Sequence, residues 1–85
     1  MAPTNIAVTI KKDGTYMFNG KKSEKSKINQ LVNSELTKAD DVTVNDATLT
    51  IIAEKGVEWK SIYELMEIAN KNKMRAIIAT QPKKS

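Results

Sequence analysis

Two apolar segments, "TLTIIA" at 48–53 and "MRAIIAT" at 74–80, flank a stretch with helical periodicity, and this arrangement constrains the chain more than any other feature. Between them Trp59, Ile62, Tyr63, Met66 and Ala69 recur at i, i+3, i+4, i+7 and i+10, and Leu65 and Ile68 broaden the stripe. A strand, a helix and a second strand within about thirty residues form a βαβ unit, whose strands run parallel with a right-handed crossover. "EKG" at 54–56 is the corner that leaves the first strand. "NKNK" at 70–73 ends the helix with positive charge where its dipole favours it. Both strands are apolar on consecutive positions, which predicts strands in the middle of a sheet or covered on both faces.

The N-terminal third reads as antiparallel. "IAVTIKK" alternates Ile6, Val8 and Ile10 against Ala7, Thr9 and Lys11, the period of a half-buried strand. Asp13-Gly14 predicts a two-residue hairpin turn that returns "TYMFN" against it, with Tyr16 and Phe18 on the core face and Met17 on the other. Asn19-Gly20 marks a second turn. Ile28, Leu31, Val32 and Leu36 then form the apolar stripe of a helix, with Ser23 or Ser26 as its cap and Glu24 placed to suit its dipole. From Ala39 to Asp46 the pattern breaks down, leaving either a short edge strand at Val42 to Val44 or a loop.

The predicted fold class is α/β (α+β): a two-layer sandwich with a mixed sheet of about four to five strands and two helices on one face. Apolar residues on the opposite face, whichever of Ile51/Ile52 and Ile77/Ile78 these are, then require a second cover, and a partner chain or homodimer is expected there. Residues 1–5 read as linker, 6–81 as a single domain and 82–85 as a basic tail.

Composition narrows the function. Cysteine and histidine are absent from the 85 residues, which removes thiol nucleophiles, disulfides, the usual zinc ligands and the commonest acid/base group. No cofactor and no metal is expected. The paired carboxylates Asp40/Asp41 and Glu64/Glu67 do not imply a shared pocket, there is no phosphate loop, and the reading is not an enzyme. Net charge is +4, with Lys11, Lys12, Lys21, Lys22, Lys25 and Lys27 crowded into the first third. That segment lacks the interleaved stacking rings of single-strand binders, so nucleic acid is not expected as a partner. A solvated lysine-rich face is the simpler reading, with an anionic polymer as a further one. No run of about 18 apolar residues is present, and the N-terminus lacks the regions of a secretory signal.

The order "VTIKKDGTYMFNGKK", a helix, then "LTIIAEKGVEWKSIYELMEIANKNKMRAIIATQP" resembles the periplasmic domain of the ExbD/TolR family of biopolymer-transport proteins. The resemblance covers nearly the whole chain and rests on order and spacing, not on a catalytic signature. It implies a protein anchored in the bacterial inner membrane by one N-terminal helix carrying an essential aspartate. That helix associates with an ExbB/TolQ-like membrane protein and passes proton-motive-force energy to a TonB/TolA-like transducer. The soluble domain would lie on the periplasmic face, dimerise and contact the transducer; in the TolR branch it is linked to peptidoglycan and serves envelope integrity. The membrane helix and its aspartate are missing from this sequence, which implies a segment cut from a longer protein, and none of Asp13, Asp40, Asp41 or Asp46 fills the aspartate's role.

The corner of the family layout is matched by Glu54, Lys55, Gly56, Val57 and Trp59. Trp59 reads first as a packing anchor at the helix start and second as a recognition residue. The expected mechanism is strand addition, in which an extended partner segment pairs with an exposed sheet edge. The partner-binding set is Glu54, Lys55, Val57, Trp59, Ile77 and Ala79.

Overall fold

The computed structural model describes residues 5–38 and 47–80. Along the chain run β1 (Asn5–Ile10), β2 (Tyr16–Phe18), β3 (Lys21–Ser23), a 3-10 turn (Lys25–Lys27), α1 (Ile28–Lys38), β4 (Thr48–Ala53), α2 (Trp59–Lys71) and β5 (Arg75–Thr80). The five strands form one mixed sheet in the order β3-β2-β1-β4-β5. β2 is antiparallel to β1 and to β3, whereas β1, β4 and β5 are parallel. This is the α+β layout expected from the sequence, with both helices on one face. The expected strand at Val42 to Val44 lies outside the described residues.

Alternation decides which face is covered. Ile6, Val8 and Ile10 of β1, Tyr16 and Phe18 of β2, and Leu49, Ile51 and Ala53 of β4 are buried beneath Ile28, Val32 and Leu36 of α1 and Ile62, Leu65 and Ala69 of α2. The opposite face carries Ala7, Thr9, Met17, Thr50 and Ile52, all half-buried, with Thr50 Oγ1 3.2 Å from Asn5 Oδ1. Threonine suits a pleated surface open to water. Of the residues expected to need a second cover, Ile52 and Ile77 lie on this face, beside Ala79, while Ile51 and Ile78 lie on the helix side.

The turns explain the register. Asn19 and Gly20 both have positive φ, 49° and 87°, as a two-residue turn of the type that matches strand twist requires. Asn19 also replaces a ladder partner: its Oδ1 accepts from the Ala7 N–H at 2.8 Å and its N–H donates to the Ala7 carbonyl at 2.7 Å. The Asp13-Gly14 turn differs from the two-residue turn expected. The Lys11 N–H donates to the Thr15 carbonyl at 2.8 Å and the Gly14 N–H to the Lys11 carbonyl at 2.9 Å, so three residues form the loop. Here Gly14 has a positive φ while Asp13 does not; the Asp13 carboxylate instead accepts from the Thr15 N–H at 2.9 Å.

α1 has no side-chain cap from Ser23 or Ser26. The 3-10 turn leads straight into it, with Glu24 in extended conformation before that turn and no side-chain hydrogen bond to cap it. α2 ends on Asn72, with Lys73 left-handed at φ 57°. The Lys73 and Met74 N–H groups return to the Asn70 and Ala69 carbonyls at 3.1 and 2.9 Å, a Schellman closure with its usual hydrophobic contact supplied by Met74.

β5 is where structure and expectation part. Its sequence predicts a strand in the middle of the sheet or covered on both faces, yet among the described residues it is an edge, with β4 as its only neighbour. Apolar residues on both sides mark strands covered on both faces, but here Ile77 and Ile78 are 52% and 37% exposed.

Candidate functional site

The six residues singled out for partner binding fall into three groups. Glu54 belongs to the interior of a corner: its Oε1 accepts from the Lys12 N–H at 2.6 Å and its own N–H donates to the Ile10 carbonyl at 3.0 Å, extending the β1/β4 ladder by one bond. Gly56 closes that corner at φ 97°, above the methylenes of Lys12, and Val57 packs against the core. Glu54 and Val57 thus fix the end of β4, and Lys55 alone of the three is exposed.

Trp59 is not a packing anchor. It is 58% exposed, as is Tyr63, and the two rings lie 5.9 Å apart at a tilt of 35°, within the range of favourable aromatic pairs. The stripe read from the sequence thus splits: Ile62, Leu65 and Ala69 face the core, while Trp59 and Tyr63 project to one side. On that side a groove of about 530 Å³, lined by Tyr63, Met66, Glu67, Asn70, Met74 and Ala76 among others, runs between α2 and β5. Ile77 and Ala79 lie on the other face of β5, because in the register Thr50↔Ile77 and Ile52↔Ala79 they share the side of β4 away from the helices.

The structure therefore assembles an edge, not a pocket. Arg75–Thr80 presents a strand of six residues with one neighbour among the described residues, Ile78 and the aromatic pair on the helix side and Ile77 on the outer side. Trp59, Tyr63, Ile77 and Ile78 are the exposed large hydrophobics of the described residues. Tyr63 and Ile78 are not in the partner-binding set read from the sequence, although Ile78 is among the residues expected to need a second cover. The available signal was the i, i+4, i+7, i+11 line of Trp59, Tyr63, Met66 and Asn70, a second stripe beside the core stripe.

The opposite edge, β3, has another composition. Lys21 and Lys22 make it short and charged, a form that discourages strand addition. Lys25 behind it is engaged: its Nζ is 2.6 Å from Glu64 Oε1. No group of three metal-ligating side chains occurs among the described residues, and no helix among them is long and apolar enough to cross a membrane. No protein-family model matches the sequence, nor does any curated protein.

Proposed function

We propose that this chain is a non-catalytic protein-interaction domain that captures an extended partner segment along β5, as the periplasmic domain of an ExbD/TolR-like energy transducer. The observation that carries the reading is the β5 edge: six residues long, paired on one side only among the described residues, apolar on both faces and flanked by an exposed aromatic pair. Backbone groups on a free edge supply affinity to an added strand, and the side chains at alternate positions supply selectivity. An apolar edge left open is an aggregation hazard that folded proteins ordinarily blunt; among the described residues β3 is blunted by two lysines, whereas β5 carries one charge, Arg75 at its start, and is apolar from Ala76 to Ala79.

In the full transducer the partner is an extended periplasmic segment of a TonB/TolA-like protein, and a second copy of the domain competes for the same edge. Proton coupling belongs to a membrane helix associated with an ExbB/TolQ-like protein, on the periplasmic side of the inner membrane.

Titration of isotope-labelled protein with the periplasmic fragment of such a transducer tests the docking. The β5 amides should move, and the fluorescence of Trp59, the single tryptophan, should shift to the blue as the ring leaves water. A titration that leaves β5 and Trp59 unmoved sinks strand capture. Membrane coupling is tested separately in the parent gene, where about 20 apolar residues holding a carboxylate should precede the domain.

A further inference from the structure

We propose that the groove between β3 and α1, at the opposite edge from β5, is a second docking site that takes an acidic extended peptide carrying one apolar side chain. It has a volume of about 530 Å³; Phe18 and Leu31 contribute apolar surface, Lys21, Lys27 and Glu24 bring charge, two cations against one anion, and Lys22 borders it while sharing the outer face of the sheet with Met17. None of the three lysines pairs with a carboxylate among the described residues, where the ion pairs are Lys25 with Glu64 and Lys38 with Glu35. The groove thus combines an excess of positive charge, among the described residues, with apolar surface, the complement of a carboxylate placed near a hydrophobe.

Backbone geometry sets the register of the ligand. Phe18 and Lys21 flank the Asn19-Gly20 turn and face each other, and in a two-residue hairpin that flanking pair is the hydrogen-bonded one. Lys22, opposite Met17, is then the non-bonded position, and its N–H and C=O point away from β2. An incoming peptide has one residue to pair with there. Side chains on either side of that residue face the groove, one carboxylate toward Lys21 and Lys27 and one apolar group over Phe18 and Leu31. The paired residue presents its own side chain beside the Lys22 ammonium, where a second acid fits. One backbone pair is too little for binding by strand addition alone, so charge and the apolar contact decide the selectivity.

The test is a titration of the isotope-labelled 85-residue chain with a capped pentapeptide in which leucine is flanked on each side by two glutamates. The amides of Lys21, Lys22, Lys27 and Leu31 should move together in a saturable manner. Lys21→Gln combined with Lys27→Gln should weaken binding about tenfold while the remaining spectrum keeps its dispersion. The same peptide with lysine in place of glutamate should not bind. Shifts spread equally over Lys11, Lys12 and Lys55 would mean attraction to net charge alone and overturn the site. So would binding indifferent to replacing leucine with glycine, absence of any shift at millimolar peptide, or preferential occupation of the groove by a soluble peptidoglycan fragment.

Discussion

Lys25 Nζ and Glu64 Oε1 lie 2.6 Å apart and join the 3-10 turn before α1 to the middle of α2. The contact ties together the two helices that cover the sheet. The Lys25 ammonium, first by hydrogen bonding and then by charge, holds the Glu64 carboxyl below its ordinary value, and the Glu64 carboxylate raises Lys25. A depressed carboxyl contributes stability above its unfolded value, near 4.3, and loses it as pH falls through the folded value. A raised ammonium contributes below about 10.4 and loses it as pH climbs through the folded value. Glu64→Gln should therefore lower the urea midpoint between about pH 5 and 10 and converge with the parent protein in stronger acid. Both side chains are substantially exposed, 57% and 36%, so added salt should shrink the difference.

Val8 and Ile51 face each other in the β1/β4 register and are both fully buried. Ile51→Ala should cost about 2–5 kcal/mol, comparable with the total stability expected of a domain this small, about 0.05–0.15 kcal/mol per residue. Ile51→Val should cost about 0.5–1.5 kcal/mol and leave a cooperative transition. Chemical denaturation followed by circular dichroism checks both.

The parts of the fold that were legible are those with strong periodicity or definite turn chemistry. The β4-α2-β5 crossover follows from two apolar runs around a helical stripe, and the β2-β3 turn follows from Asn19-Gly20. β3 itself was not legible, because Lys21-Lys22-Ser23 has no apolar alternation and is held in the sheet by the turn before it. The edge position of β5 was hidden for the opposite reason: Ile77 and Ile78 carry the pattern of a covered strand, and only the strand order reveals that nothing in the described chain covers them. In the candidate site, helical spacing could not separate Trp59 and Tyr63 from the core because a broad apolar arc contains both the buried residues and the projecting ones. The acceptor role of Glu54 is invisible in the sequence because it depends on a backbone N–H 42 residues earlier, a distance no local pattern spans.

Lys73 occupies the left-handed position that closes α2, at φ 57°, where a side chain is disfavoured and glycine is usual. Lys73→Gly should therefore stabilise the protein by about 1 kcal/mol, read as a higher thermal midpoint. Gly56→Ala should do the reverse by a similar amount, since at φ 97° the added methyl is strained by backbone conformation alone: the nearest neighbouring atom lies at an ordinary 3.7 Å. The pair separates conformational strain from packing, because neither substitution alters the buried core.

The two sheet edges invite opposite substitutions. Ile77 is 52% exposed on β5, so Ile77→Lys removes little buried surface and should change the stability of the monomer by no more than about 0.5 kcal/mol. It places on β5 the charge that β3 already carries at Lys22, and an edge lysine opposes pairing with another strand because its ammonium resists burial against the added chain. Capture of an extended partner along β5, and any self-association through that edge, should fall while the thermal midpoint holds. Lys22→Ile should be equally mild for folding, yet it leaves β3 a three-residue edge with a single apolar residue between Lys21 and Ser23 and should create little new association. Sedimentation velocity at rising concentration, set beside thermal melts of the same samples, reads both effects. An Ile77→Lys protein that associates with a partner segment as before would place the docking surface elsewhere than on β5.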